Sequence, residues 1–129
     1  MCYSVLICGE GPADSGKRDF DNGIWIEGPA IAFFRKASGR ESSVEGIEHS
    51  ELKKAQKIQK TISKGHGVKA ERLAIYAARN NYDAAICYVD SDTTDEKEYN
   101  RIYRSVKDGI QNSNAPVQCI PLIPKSMIE

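Results

Sequence analysis

The sequence has no long hydrophobic run. None of its apolar stretches approaches the roughly 18 residues that a bilayer crossing needs, so no membrane partner is expected. It also has no excess of either charge, because eighteen Lys+Arg are balanced by eighteen Asp+Glu. That excludes a globally basic nucleic-acid binder and leaves room only for a local basic stripe. The four cysteines, Cys2, Cys8, Cys87 and Cys119, show no C-x-x-C spacing, which excludes a zinc site built on tight turns. The opening residues Met1 to Cys8 have no basic n-region and read as a first strand, not a secretion signal. Reduced, buried cysteines in a cytoplasmic protein are therefore expected. There is no internal repeat, low-complexity tract or linker, and 129 residues make one domain, 1–129.

What is present alternates. Tyr3 to Cys8 is an apolar run closed by Gly9-Glu10-Gly11-Pro12, as suits a strand buried on both faces. Ala13 to Gly23 is polar, Gly-punctuated loop. Pro29 opens a helix that Gly39 stops. Ser43 to Glu48 alternates weakly as a second strand, and Glu51 to Lys64 is a Lys-rich helix or mobile segment. From Val68 the helical pattern strengthens, with Val68, Leu73, Tyr76, Ala77 and Asn80 near one face and Glu71 and the basic residues elsewhere. Ala84 to Val89 is the clearest strand, ending at Asp90-Ser91-Asp92. Thr93 and Glu96 form a capping box for a helix whose apolar stripe is Tyr99, Ile102, Tyr103, Val106 and Ile110. Pro116 to Leu122 is a last strand, and Pro121 marks it as an edge or a bulge. This order predicts an α/β fold with a mainly parallel four-stranded sheet and helices on both faces.

In such sheets ligands bind at the carboxyl ends of the strands. Glu10 follows the first strand, and Asp90 and Asp92 follow the third. Residues two apart in extended chain point the same way, so Asp90 and Asp92 can aim at one point above the sheet. Two carboxylates held that close repel, and a divalent cation with oxygen ligands relieves the repulsion. The ordinary alternative for a D-x-D here is a loop with a helix cap. Asp95 and Glu96 read as acids placed at a helix N-terminus.

Leu6-Ile7-Cys8-Gly9-Glu10-Gly11-Pro12-Ala13-Asp14 and Ile86-Cys87-Tyr88-Val89-Asp90-Ser91-Asp92 resemble the two motifs of the Toprim fold, the catalytic domain of primases, topoisomerases and related nucleases. The resemblance covers nearly the whole chain. It is nearest to small bacterial Toprim-like proteins, some associated with defence against phage, through Lys64-Gly65-His66-Gly67 and the ending Ile123-Pro124…Ile128-Glu129. Those relatives run on into a further helix, so a truncated or short member is expected. The resemblance implies that Asp90 and Asp92 hold Mg²⁺ or Mn²⁺ and that Glu10 is a general acid/base or another metal contact. Glu129 is a weaker candidate ligand. Cleaving a phosphodiester requires charge neutralised at phosphorus and a proton moved, which metal ions and a carboxylate supply.

Lys53, Lys54, Lys57, Lys60, Lys64 and Lys69 lie close together with no acid among Lys53 to Lys69. They are a solvated helix face or a phosphate-binding surface for DNA or RNA, with Lys57, Lys60, Lys64, His66 and Lys69 as the candidate contacts. His66, between two glycines, is a proton carrier or an exposed loop histidine, and His49 has no assigned role. Gly9-Glu10-Gly11 is not a dinucleotide fingerprint, since Asp14 replaces the third Gly. Gly11 to Lys17 starts like a phosphate loop, but Arg18 replaces the hydroxyl residue that would bind Mg²⁺. The expected function is a divalent-metal-dependent nuclease, or another phosphodiester-handling enzyme, as a homo-oligomer or in a larger defence complex. A topoisomerase needs gating domains that 129 residues cannot supply. The alternatives are a non-catalytic metal- or nucleic-acid-binding subunit and, with a poorer fit, a receiver-like domain.

Overall fold

The computed structural model describes residues 3–9, 16–18, 25–27, 42–55, 63–91 and 93–124. The strands are β1 (Tyr3–Cys8), β2 (Gly16–Arg18), β3 (Trp25–Glu27), β4 (Ser42–Ile47), β5 (Ala84–Tyr88) and β6 (Gln118–Leu122). The helices are α1 (His49–Ala55), α2 (His66–Arg79) and α3 (Glu96–Ser113). Strands β4, β1, β5 and β6 form one four-stranded sheet in that order, and every pairing in it is parallel. The fold is α/β, as the alternating pattern predicts. The helix expected from Pro29 falls outside the described residues.

Alternation along the strands decides which residue faces which layer. Leu6 and Cys8 of β1 and Ala85 and Cys87 of β5 share a core with Leu52 of α1, Ala70, Leu73 and Ala77 of α2, and Ile102 and Val106 of α3. Ile7, Val44 and Ile86, on the opposite face, form a second buried cluster with Val5 and Leu122. The central strands are thus buried on both sides, which is why they read as continuous apolar runs. Their amino ends are clamped, since the Ser4 amide donates to Asp83 Oδ2 at 2.7 Å and the Asp83 amide donates to the Ser4 carbonyl at 2.9 Å. Pro121 sits in the edge strand β6, where its missing N–H is tolerated.

Four local expectations need correction. The loop predicted over Ala13 to Gly23 contains β2, which pairs antiparallel with β3 in the register Lys17↔Ile26. Three-residue strands leave too little periodicity to detect. The cap of α3 is Asp95, not Thr93. The Asp95 carboxylate accepts the Lys97 amide at 2.9 Å, while Thr93 Oγ1 accepts the Asp95 amide just ahead of the helix. Tyr103 is exposed, and the buried stripe of α3 runs through Ile102, Val106 and Gly109. On α2, Lys69 and Glu71 are buried at 7% and 3% exposure; periodicity alone put them on the solvent side.

The α2–α3 contact explains why Gly109 lies in that stripe. A Cβ at Gly109 would run into the Gly67 carbonyl oxygen and stand 2.7 Å from the Gly67 Cα. A Cβ at Gly67 would come within 2.6 Å of the Ser105 carbonyl. The two helices therefore touch backbone to backbone, and the Gly67 amide donates to Ser105 Oγ at 3.2 Å across the contact. Gly65, just before α2, has φ +59°, a conformation glycine adopts at little cost.

Candidate functional site

A parallel sheet delivers all its strand ends to one edge. From the central strand β1 the chain passes to β4 on one side, then crosses to β5 and β6 on the other. The strand order therefore reverses between β1 and β5, the place where open α/β sheets open a ligand crevice. β1 and β5 run in register to Cys8↔Cys87, so the loops that follow them start side by side.

The loop after β5 is firmly held. The Val89 amide donates to the Leu122 carbonyl at 3.0 Å, and Ser91 Oγ donates to the Pro124 carbonyl at 2.8 Å. Tyr99 of α3 donates its hydroxyl to the neighbouring Ile123 carbonyl at 2.8 Å. Val89 and Ser91 are buried and Asp90 between them is exposed. The alternation expected for the D-x-D is thus present as far as Ser91. Glu10, Asp92 and Glu129 lie outside the described residues, as do Lys57 and Lys60.

The remaining sequence candidates separate. Lys64 is exposed ahead of α2. His66 is exposed as the first residue of α2, so it opens a helix and does not sit in a loop. Lys69 is buried, and its ammonium donates to the Tyr88 carbonyl at 2.6 Å. It therefore braces the end of β5 two residues ahead of Asp90, whereas Lys64 and His66 are exposed.

Sequence reasoning passed over His49, which follows β4 at this same edge. Its Nε2 is buried with no hydrogen-bond partner among the described residues. Its pKa is lowered from 6.5 to about 4, by burial first and then by Lys53, Lys69 and Arg72. The imidazole is neutral at neutral pH, and three cationic side chains lie near enough to disfavour its charged form. Glu48, beside it, accepts from Ser50 Oγ at 3.3 Å. The signal that could have found His49 is the one that found Asp90, a polar residue at a strand end.

Among the described residues no group of three or more His, Cys, Asp and Glu is placed to hold a metal ion. Asp90 does fit the part assigned to it, as a hard oxygen donor exposed at the end of a central strand. Among the described cysteines Cys8 and Cys87 are buried, as expected, Cys119 is partly so, and none of the three is in a disulfide with another. Burial, with Cys87 nearby, pushes the Cys119 thiol up to about 12, so the free thiol is protonated at neutral pH. No described helix is long and apolar enough to cross a membrane.

No protein-family model, no curated protein and no solved structure matches this chain.

Proposed function

We propose that this chain is a divalent-metal-dependent nuclease of the Toprim type, acting on the phosphodiester backbone of DNA or RNA. The observation that carries the reading is the position of Asp90, an exposed carboxylate on a pinned loop at the switch point between β1 and β5. In this reading Asp90 and Asp92 would hold Mg²⁺ or Mn²⁺, with Glu10 as a further metal contact or as the general acid/base. The metal, when bound, would neutralise charge on the phosphoryl oxygens. As general base, Glu10 would take the proton of the attacking water while the P–O bond to the leaving oxygen breaks and that oxygen is protonated from solvent. Lys69 is a positioning residue: its ammonium fixes the Tyr88 carbonyl and with it the start of the Asp90 loop. Lys53 and Arg72, whose charges act on His49 together with that of Lys69, add positive potential at the edge that receives the substrate's phosphates.

The test is cleavage of plasmid and of single-stranded DNA and RNA in Mg²⁺, in Mn²⁺ and in EDTA. Metal-dependent cutting that disappears in Asp90→Asn and in Glu10→Gln supports the reading. Cutting that persists in both variants overturns it. Salt-sensitive binding without cutting in any metal also overturns the enzyme and leaves a nucleic-acid-binding subunit. Manganese titration of the parent and of Asp90→Asn, followed by melting temperature, reads the metal site without a substrate, because a ligand of the native state raises stability.

A further inference from the structure

A cleft of about 360 Å³ opens between the segment leading into α2 and the outer face of α3. Three cations line it, Lys64 from the first wall and Arg101 and Arg104 from the second, against a single carboxylate, Asp108. In a chain with no net charge this is a local excess of two positive charges. The spacing explains the second wall: Arg101, Arg104, Ser105, Asp108 and Asn112 stand at positions i, i+3, i+4, i+7 and i+11, one stripe of a helix. The walls are rigid. Glu71, buried at 3% exposure, accepts both the amide and the hydroxyl of Ser63, at 3.2 and 2.9 Å. Asn112 Nδ2 donates to Ser63 Oγ at 3.0 Å, and Ser105 Oγ donates to the Lys64 carbonyl at 3.2 Å. The glycine contact between Gly67 and Gly109 draws the two walls together.

The polar groups of the walls satisfy one another, whereas the cationic heads face solvent. Among the described residues Arg101 pairs with Glu98 on its own helix, at 3.0 Å, with the two side chains 76% and 48% exposed. An exposed pair of that kind is weak and gives way to a stronger anion. Among the described residues neither Lys64 nor Arg104 has an ion pair. Two guanidinium forks and an ammonium spaced along a preformed cleft suit anionic oxygens that recur along a chain.

We infer that this cleft binds successive phosphates of a single nucleic-acid strand, with Arg101 and Arg104 as contacts alongside Lys64. The inference rests on the nucleic-acid reading above and extends it to residues away from the Asp90 loop. A free nucleotide offers the same phosphate chemistry, and the test separates the two sources.

The experiment measures fluorescence anisotropy of a short labelled single-stranded oligonucleotide with the full chain across a salt series. It compares the parent, the double variant Arg101→Gln/Arg104→Gln, and a charge-matched control, Lys97→Gln/Lys107→Gln, on the same helix. The cleft variant is expected to lower the slope of log affinity against log salt by about 2, one for each phosphate left without its arginine. The control is expected to leave the slope near that of the parent. Equal slopes in the two double variants overturn the cleft, as does an oligonucleotide that does not bind. A nucleoside triphosphate that binds the cleft while the oligonucleotide does not overturns the strand assignment. Cleavage and binding fail separately: abolished cutting in Asp90→Asn with intact cleft-dependent binding keeps both readings. Cleft-dependent binding with no cutting in any metal sinks only the nuclease. Asp90-dependent cutting with no effect of Arg101→Gln/Arg104→Gln on binding sinks only the cleft. The four substituted side chains of the two double variants are all exposed, so both variants keep the parent melting temperature, and weakened binding reports on the arginines and not on the fold.

Discussion

Replacing Gly109 by alanine separates this packing from the ordinary behaviour of helices. In an exposed helix, Gly→Ala stabilises by about 1 kcal/mol, because alanine loses less backbone freedom on folding. At Gly109 the added methyl would collide with the Gly67 carbonyl oxygen and stand 2.7 Å from the Gly67 Cα. Carbon atoms pack best at about 3.5–4.0 Å, so α2 and α3 must separate by nearly 1 Å. Such a gap forfeits a quarter to a half of the dispersion energy between the groups it parts. The atoms in the way are backbone, which cannot rotate aside. Overpacking of this kind costs about 1–3 kcal/mol and occasionally more. Because the backbone cannot yield, the upper part of that range, about 2–3 kcal/mol, applies, and set against the propensity gain of about 1 kcal/mol it leaves a net loss of about 1–2 kcal/mol. At about 4 °C for each kcal/mol in a chain of this size, the melting temperature falls by roughly 4–8 °C. Thermal melting followed by far-ultraviolet circular dichroism measures it, with Gln111→Ala, exposed on the same helix, as a neutral control. A Gly109→Ala protein that melts at or above the parent would show that the helices do not meet through this glycine pair, and the rigid walls of the cleft would go with it.

Two further outcomes follow from the titrating groups. His49 has a folded pKa of about 4, below its ordinary 6.5. Between those values the unfolded chain binds a proton that the folded chain refuses, so stability falls as pH drops from about 6.5 to 4 and changes no further below that on account of this group. After solvent screening of a half-buried ring the contribution is on the order of 1–2 kcal/mol. Urea unfolding at pH 7 and pH 4.5 should show a smaller drop in His49→Gln than in the parent, and an equal drop would refute the assignment. Cys119, with its thiol pushed up to about 12, should resist iodoacetamide at pH 8 and react once guanidinium unfolds the chain. Peptide mapping reads this directly, and rapid alkylation of Cys119 in the native protein would refute its burial.

Much of the sheet was legible because its cause is local. The strands β1 and β5 are marked by continuous apolar runs, which only burial on both faces rewards, and the edge position of β6 is marked by Pro121, which has no N–H to give a second neighbour. The apolar face of α3 was legible at Ile102 and Val106 for the same reason. Its N-cap was displaced from Thr93 to Asp95 because several side chains in that stretch can accept an amide, and the helix takes the one beside its first turn. The acid at Asp90 was legible as a polar residue straight after a buried strand.

Sequence by itself determined the class of the fold, the alternation of strands and helices, and the candidate acids, since these depend on periodicity within a few residues. Only the tertiary structure decided that β1 lies between β4 and β5, that Lys69 turns inward to the Tyr88 carbonyl, and that Gly67 meets Gly109. The same holds for the gathering of Lys64 with Arg101 and Arg104 around one cleft. Each of these joins residues far apart along the chain. Whether a lysine is buried or a glycine is indispensable depends on what desolvates or crowds it, and those neighbours come from other elements.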